Sequence, residues 1–281
     1  MTPDAPLAVA PDEVATIAHG DCLEFLRSLP GESIDLVVTD PAYSGMNRHL
    51  MLGRGRIVGT YRDAGRPRGR WFPEFHDDPE TFRALLGELF RVLRPDRHLY
   101  VMFDSYSLLS LGPLVRERFE VKNLLVWDKA LLGMGHYFRR RHELIVFASK
   151  GRRPLARRDI PDILRVPRLT RAPYATQKPV ALFSMMIEAS AEPGFVVCDP
   201  FVGSGSSAVA ALGLGCRFIG CDSSAKAVTL ARERVAAVRA GRADPLEGPA
   251  SRAKGRPHTG PPVGIEASRT GPGIERLPQE K

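Results

Sequence analysis

From Val14 to Val238, short apolar runs of strand length alternate with stretches whose apolar residues recur at helical spacing. The strand candidates are Val14–Ala18, Ile34–Thr39, His98–Phe103, Val121–Trp127, Leu144–Ala148, Phe195–Cys198 and Arg217–Cys221. Between them, Cys22–Leu29, Phe82–Leu93, Leu108–Arg118, Pro179–Ile187, Ser206–Leu212 and Ala225–Val238 read as helices, the second ending at Arg94-Pro95. Alternation of this kind predicts an α/β fold with a doubly wound, mostly parallel sheet. Ligands of such sheets bind beyond the carboxyl ends of the strands, so residues that follow strands carry the information.

Three regions break the pattern. Residues 1–13 are rich in Pro and Ala and read as a loose N-terminus. Residues 44–76 hold seven arginines (48, 54, 56, 62, 66, 68 and 70), and residues 151–173 hold seven more; both read as basic insertions in a domain spanning 14–240. Residues 241–281 lack periodicity and read as a disordered tail. The formal net charge of +8 suits an acidic partner, nucleic acid first, although scattered surface arginines would give the same sum. No apolar run approaches the roughly 20 residues of a membrane span. Neither a secretory signal nor a paired-cysteine metal motif is evident, so the expectations are a cytoplasmic protein, no membrane and no metal.

Two strand ends carry chemistry. Val196-Val197-Cys198 runs into Asp199-Pro200-Phe201-Val202-Gly203-Ser204-Gly205 and then a helix. Gly203 and Gly205 suit a tight turn with close backbone approach to a ligand. The next strand ends at Asp222, where a carboxylate can accept the hydroxyls of a ribose. A dinucleotide loop remains open, with Ala208 in its third small position, whereas a phosphate-cradling loop would need a lysine that is absent.

The strand at 34–39 ends in Asp40-Pro41-Ala42-Tyr43. The lone pair of an exocyclic amino group on a nucleobase is delocalised into the ring, which makes it a poor nucleophile. The Asp40 carboxylate and the Pro41 carbonyl could accept its two hydrogens and favour a localised lone pair. Tyr43 would offer an aromatic face to a base taken out of the duplex. The plain alternative is a turn capped by Asp40 with Tyr43 packed on the core.

Together these motifs resemble the DNA amino-methyltransferases of the N6-adenine and N4-cytosine type, in the beta arrangement where the catalytic tetrapeptide precedes the cofactor loop. The resemblance spans about residues 14–240. It also takes in His19-Gly20-Asp21-Cys22, Trp127-Asp128-Lys129, Gly135-His136-Tyr137-Phe138-Arg139, His142-Glu143 and Gln177-Lys178-Pro179. It implies a Rossmann-like methyltransferase fold with circularly permuted motif order, S-adenosylmethionine as cofactor and DNA as partner. Asp40, Pro41 and Tyr43 would be catalytic. Phe201, Gly203 and Gly205 would line the methionine part of the donor, Asp222 its ribose, and Asp21 would lie near its adenine; Asp199 would also bind the cofactor, and Thr176, Gln177 and Lys178 would close the site. Asp21 also reads as a helix N-cap, Lys178 as a surface charge and Trp127 as core. Ala42 departs from the family, which has a second proline there.

The expected reaction is site-specific transfer of methyl to adenine N6, because Asp rather than Ser at position 40 leans that way. N4-cytosine methylation, another amino-bearing substrate such as RNA, and a catalytically silent DNA-binding homologue are the alternatives. A homodimer is compatible with the family, and a restriction endonuclease partner stays open. If the 44–76 insertion grips phosphates, neutralising Arg66, Arg68 and Arg70 together lowers DNA affinity and flattens its dependence on salt; unchanged binding and slope would refute the grip.

Overall fold

The computed structural model describes residues 13–43, 78–133, 138–169, 172, 174 and 176–247. The loose N-terminus up to residue 12, the 44–76 insertion and the expected tail beyond Glu247 therefore lie outside the described residues, whereas residues 241–247 of that tail are described. In chain order the elements are β1 (Ala15–His19), α1 (Cys22–Ser28), β2 (Ile34–Thr39), α2 (Pro79–Val92), β3 (Leu93–Phe103), α3 (Ser105–Val115) and β4 (Glu120–Asp128). There follow β5 (His142–Lys150), β6 (Ile163–Arg165), α4 (Val180–Ser190), β7 (Val196–Asp199), α5 (Ser206–Gly213), β8 (Arg217–Asp222) and α6 (Ala225–Arg239).

The strands form one sheet in the order β1-β8-β7-β2-β3-β5-β4-β6. The first five in that order are mutually parallel. β5 runs antiparallel to both β3 and β4, and β6 lies parallel to β4. Register brings the functional strand ends to one edge: His19 faces Asp222, Asp199 faces Gly220, and Thr39 faces Val101. Because β5 is reversed, its start lies at this same edge, with His142 opposite Asp128 at the end of β4.

All six residues of β2 are buried, as a central strand covered on both faces requires. One face of the sheet packs on Phe25, Leu26, Phe82, Leu86 and Leu89 of α1 and α2. The other packs on Leu182, Met186, Ala211, Val228 and Ala231 of α4, α5 and α6. Three helices that follow loops at this edge or beside it start on an aspartate: Asp21, Asp78 and Asp104 each accept two backbone N–H groups of the first turn.

Three features differ from the sequence expectation. β3 begins at Leu93, where a helix end was expected; the pairing with β2 jumps from Leu93 to His98, and Pro95 sits in that irregularity, where it removes no ladder bond. β6 lies inside the 151–173 insertion as an edge strand; three residues with one buried side chain, Leu164, give too weak a pattern to read. Third, the ordered chain runs past 240. Fully buried Arg234 on α6 forms a two-pronged pair with Asp244, at 2.8 and 2.6 Å. It also donates to the Ser204 carbonyl at 2.9 Å and the Ser206 hydroxyl at 3.0 Å. Glu247 accepts from Val180 N–H and from Gln177 Nε2, capping α4. Residues 241–247 thus tie the glycine loop to the start of α4. Among the described residues, no helix is long and apolar enough to cross a membrane.

Removing one partner of a buried ion pair leaves the other charge uncompensated, at about 3–5 kcal/mol. Asp244→Ala, and a chain cut after Ala240, should each lose stability of that order in urea unfolding. A loss below about 1 kcal/mol would show that the segment is dispensable.

Candidate active site

A cavity of about 220 Å³ opens at the carboxyl edge of the sheet. Its wall includes Asp21, Asp40, Pro41, Tyr43, Thr176, Gln177, Lys178, Asp199, Phe201, Gly203 and Asp222, eleven of the twelve residues given a site role from sequence. Gly205 is the exception. Its φ of 86° requires glycine, and a Cβ there would fall 2.8 Å from the Ala231 side chain. Close packing of the loop on α6, rather than approach to a ligand, is what Gly205 permits. Gly203, with φ 52°, does face the cavity and donates its N–H to Asp222 Oδ2 at 2.8 Å.

Asp222 also accepts from Ser224 N–H at 2.8 Å, so its carboxylate is fixed at the end of β8. Burial pushes it up from the ordinary aspartate range. On the neighbouring strand end, Asp21 caps α1 through Leu23 and Glu24 N–H at 2.8 and 3.1 Å, and it lines the cavity as well. Capping and a place at the site are compatible, because the cap uses Oδ1. Cys22 beside it is held neutral: burial pushes its thiol up to about 12.

Asp199 faces inward. Oδ1 accepts from Thr39 Oγ1 and Phe201 N–H, both at 2.9 Å, and Oδ2 from Ser207 Oγ at 2.6 Å. With both oxygens engaged by the protein, Asp199 shapes the loop that presents Phe201. Burial raises its carboxyl to about 7 despite three donors.

The tetrapeptide turns sharply. Tyr43 N–H donates to the Pro41 carbonyl at 2.9 Å, which leaves that oxygen one further lone pair. The Tyr43 ring is buried and stacks on Phe103, 5.2 Å between centroids and 13° between planes. It is part of the core and part of the cavity wall, so both sequence readings of Tyr43 describe it.

Lys178 Nζ donates to Asp40 Oδ2 and lies 3.7 Å from Glu143 Oε2. Lys129 Nζ donates to Glu143 Oε1. Two carboxyl groups and two ammonium groups thus form a quartet, of which Asp40, Glu143 and Lys178 line the cavity. Lys178 is 13% exposed, too little for a free surface charge. Burial disfavours its charge, but Asp40 and Glu143 outweigh that and hold the proton more tightly than in water. Glu143 is likewise held below its ordinary range, burial being overcome by Lys178 and Lys129. Asp40 is the member left to titrate: burial raises its carboxyl more than Lys178 lowers it. Asp40 Oδ1 accepts from no described residue, and it is the oxygen available to a ligand.

Sequence reasoning gave Glu143 and Lys129 no role. Their signal is positional, a charged residue at each end of the β4–β5 hairpin base, beside apolar strands. Asp104 and Thr81 also line the cavity and were missed. Thr176 takes φ 70°, a left-handed conformation costing about 1–3 kcal/mol in a β-branched residue. Gln177 is buried; its Nε2 donates to Glu247 at 3.1 Å, and its Oε1 has no partner among the described residues.

A family model described as DNA methylase, covering N6 and N4 enzymes, matches residues 34–163 and 159–233. The methylase YubD of Escherichia coli (strain K12) is 31% identical over 222 residues, 78% of this chain and 89% of the relative. Among solved structures, the M1.HpyAVI–SAM complex aligns with a TM-score of 0.57 at 20% identity, over 78% of this chain and 99% of the other. The cytosine-N4-specific PvuII DNA methyltransferase aligns with a TM-score of 0.59 at 17% identity, over 78% and 86%.

Asp199 carries a folded pKa above its unfolded value of 3.8. Its contribution to stability is therefore full below about pH 4 and is lost as the pH rises to about 7. Asp199→Asn should remove that part of the pH dependence in thermal melts. An unchanged slope between those limits would mean that Asp199 ionises without cost.

Proposed function

The chain belongs to the N6/N4 DNA methylase family, and from that premise we propose that it transfers a methyl group from S-adenosylmethionine to adenine N6 in duplex DNA. The observation that carries the proposal is Asp40: one carboxylate oxygen is pinned by Lys178 and the other opens to a cavity shared with Phe201, Gly203 and Asp222.

The residues fit the donor. Asp222 and Asp21 are carboxylates on adjacent strand ends, suited to accept from a ribose and an adenine. Phe201 offers an aromatic wall, and the turn at Gly203 keeps a side chain out of the way. When bound, S-adenosylmethionine supplies an electrophilic methyl carbon on a positive sulfur.

The protein's part is positioning. Asp40 accepts one hydrogen of the amino group, the Pro41 carbonyl accepts the other with its remaining lone pair, and the nitrogen lone pair is freed from the ring. Lys178 opposes the burial that favours the acid form of Asp40. Glu143 and Lys129 hold Lys178 in place. Asp at position 40 favours adenine. N4-cytosine transfer is the second reading, supported by the fold shared with a cytosine-N4-specific enzyme.

Incubation with labelled donor and unmethylated duplex DNA, followed by mass analysis of nucleosides, should give N6-methyladenine. N4-methylcytosine would move the reading to the second base, and no methylated nucleoside would overturn both. Asp40→Ala should abolish turnover while donor binding persists.

The pH profile tests Lys178. The rate constant kcat/KM should fall as the pH drops through the raised pKa of Asp40. Lys178→Met removes a cation that lowers that pKa, so the acid limb moves to higher pH; Lys178→Arg should largely restore it. A limb that Lys178→Met leaves in place would refute this role.

A further inference from the structure

Between β4 and β5 stands Phe138, whose side chain is wholly exposed, at 103% of its reference surface. A single exposed apolar residue is ordinary. The surroundings of this one are not. The described flanks of the connection are braced: Lys129 N–H bonds the Arg141 carbonyl at 2.9 Å, and Gly133 N–H bonds the Arg140 carbonyl at 2.7 Å. Arg139 Nε donates to the Gly133 carbonyl at 2.8 Å, crossing the same two flanks. Arg141 grips Asp128 with two bonds, at 2.7 and 2.8 Å. The Arg140 guanidinium lies 4.8 Å over the Tyr106 ring, at the start of the helix capped by cavity-lining Asp104. An exposed ring thus adjoins a hydrogen-bonded flank, five residues before Glu143 of the quartet.

Charge says what the ring meets. Arg139 and Arg140 directly follow Phe138 and have no carboxylate partner among the described residues; nor does Arg168, whereas Arg165 acts on Asp128. Arg165 and Arg168 belong to the same edge, because Arg165 stands opposite Asp128 in the β4–β6 register and Arg168 N–H bonds the Lys129 carbonyl. A bare aromatic ring followed by two arginines, with Arg168 on the same sheet edge, suits a stack of bases flanked by phosphates.

We propose that Phe138 is a wedge that enters the base stack and fills the gap left when the target nucleotide turns into the cavity. This rests on the reading above that the substrate is a base in duplex DNA. A base cannot reach Asp40 while stacked and paired, and its removal leaves two neighbouring bases without a contact face. An apolar ring replaces that face, and the arginines hold the backbone while it does so. Phe138 would act on extrusion of the base and not on the transfer itself. A substrate whose target is already unpaired should need it little.

The test uses the full chain and a synthetic duplex carrying the site that methylation sequencing returns, either fully paired or with the target base mispaired. Phe138→Ala should lose about tenfold or more in kcat/KM on the paired duplex and recover to within about twofold of the parent on the mispaired one. Phe138→Trp should keep activity on both, and donor affinity should be the same in all three proteins. Equal rates of Phe138→Ala and the parent on the paired duplex, or an equal loss on both duplexes, would overturn the wedge. If the parent methylates neither duplex, the substrate reading fails first and the wedge falls with it.

Discussion

The Asp199 carboxylate binds Thr39 at the end of β2 with the same oxygen that binds Phe201 N–H, and Ser207 with the other. β2 delivers Asp40, and the loop after β7 delivers Phe201 and Gly203. Backbone pairing between these strands is short, Leu36 with Val197 and Val37 with Cys198. It stops before the residues that matter. The side-chain bonds of Asp199 carry the alignment one step further, to the point where the strands end. Burying this carboxyl is unfavourable, as its pKa of about 7 records. Such a group persists where a geometric requirement outweighs the cost of its burial.

A second buried polar system fixes the other side of the same loop. Arg234 holds the Ser204 carbonyl and the Ser206 hydroxyl from below, and its guanidinium passes through Asp244 and Glu247 to the cap of α4. The residue two positions before α4 is Lys178. The glycine loop and the ammonium that meets Asp40 are thus set by one continuous set of hydrogen bonds. Its members lie in β7's loop, α6, the 241–247 segment and the start of α4, far apart in sequence.

This separation decides what the sequence could reveal. Alternating strands and helices were legible because each apolar run is long enough to show its period. Asp40 and Asp222 were legible because strand ends in a parallel sheet are where ligands bind. The role of Gly205 was not, since glycine at positive φ looks the same whether a ligand or Ala231 occupies the space beyond it. Asp199 sits in the right loop, but its partners Thr39 and Ser207 come from other elements. The segment after 240 reads as a tail by composition, yet Asp244 and Glu247 are anchored by an arginine whose burial no local pattern announces. Residues whose function depends on their own element are readable; residues that act across elements need the fold.

The 151–173 stretch shows the same point for charge. As a sequence it is one basic block. In the sheet, Lys150 faces Arg97 near the start of β3, so the chain leaves β5 at the edge opposite the cavity. There Arg153 pairs with Glu192, and Arg157 with Asp159 and Glu188. Those charges are compensated by neighbours and offer little to a polyanion. The chain then returns along β6 to the cavity edge, where Arg165 acts on Asp128 and Arg168 emerges without a carboxylate partner among the described residues. Electrostatic attraction to DNA depends on uncompensated charge at the face that binds, not on the total. By that measure Arg168 at the cavity edge has more to offer a polyanion than the paired arginines at the opposite edge of the sheet.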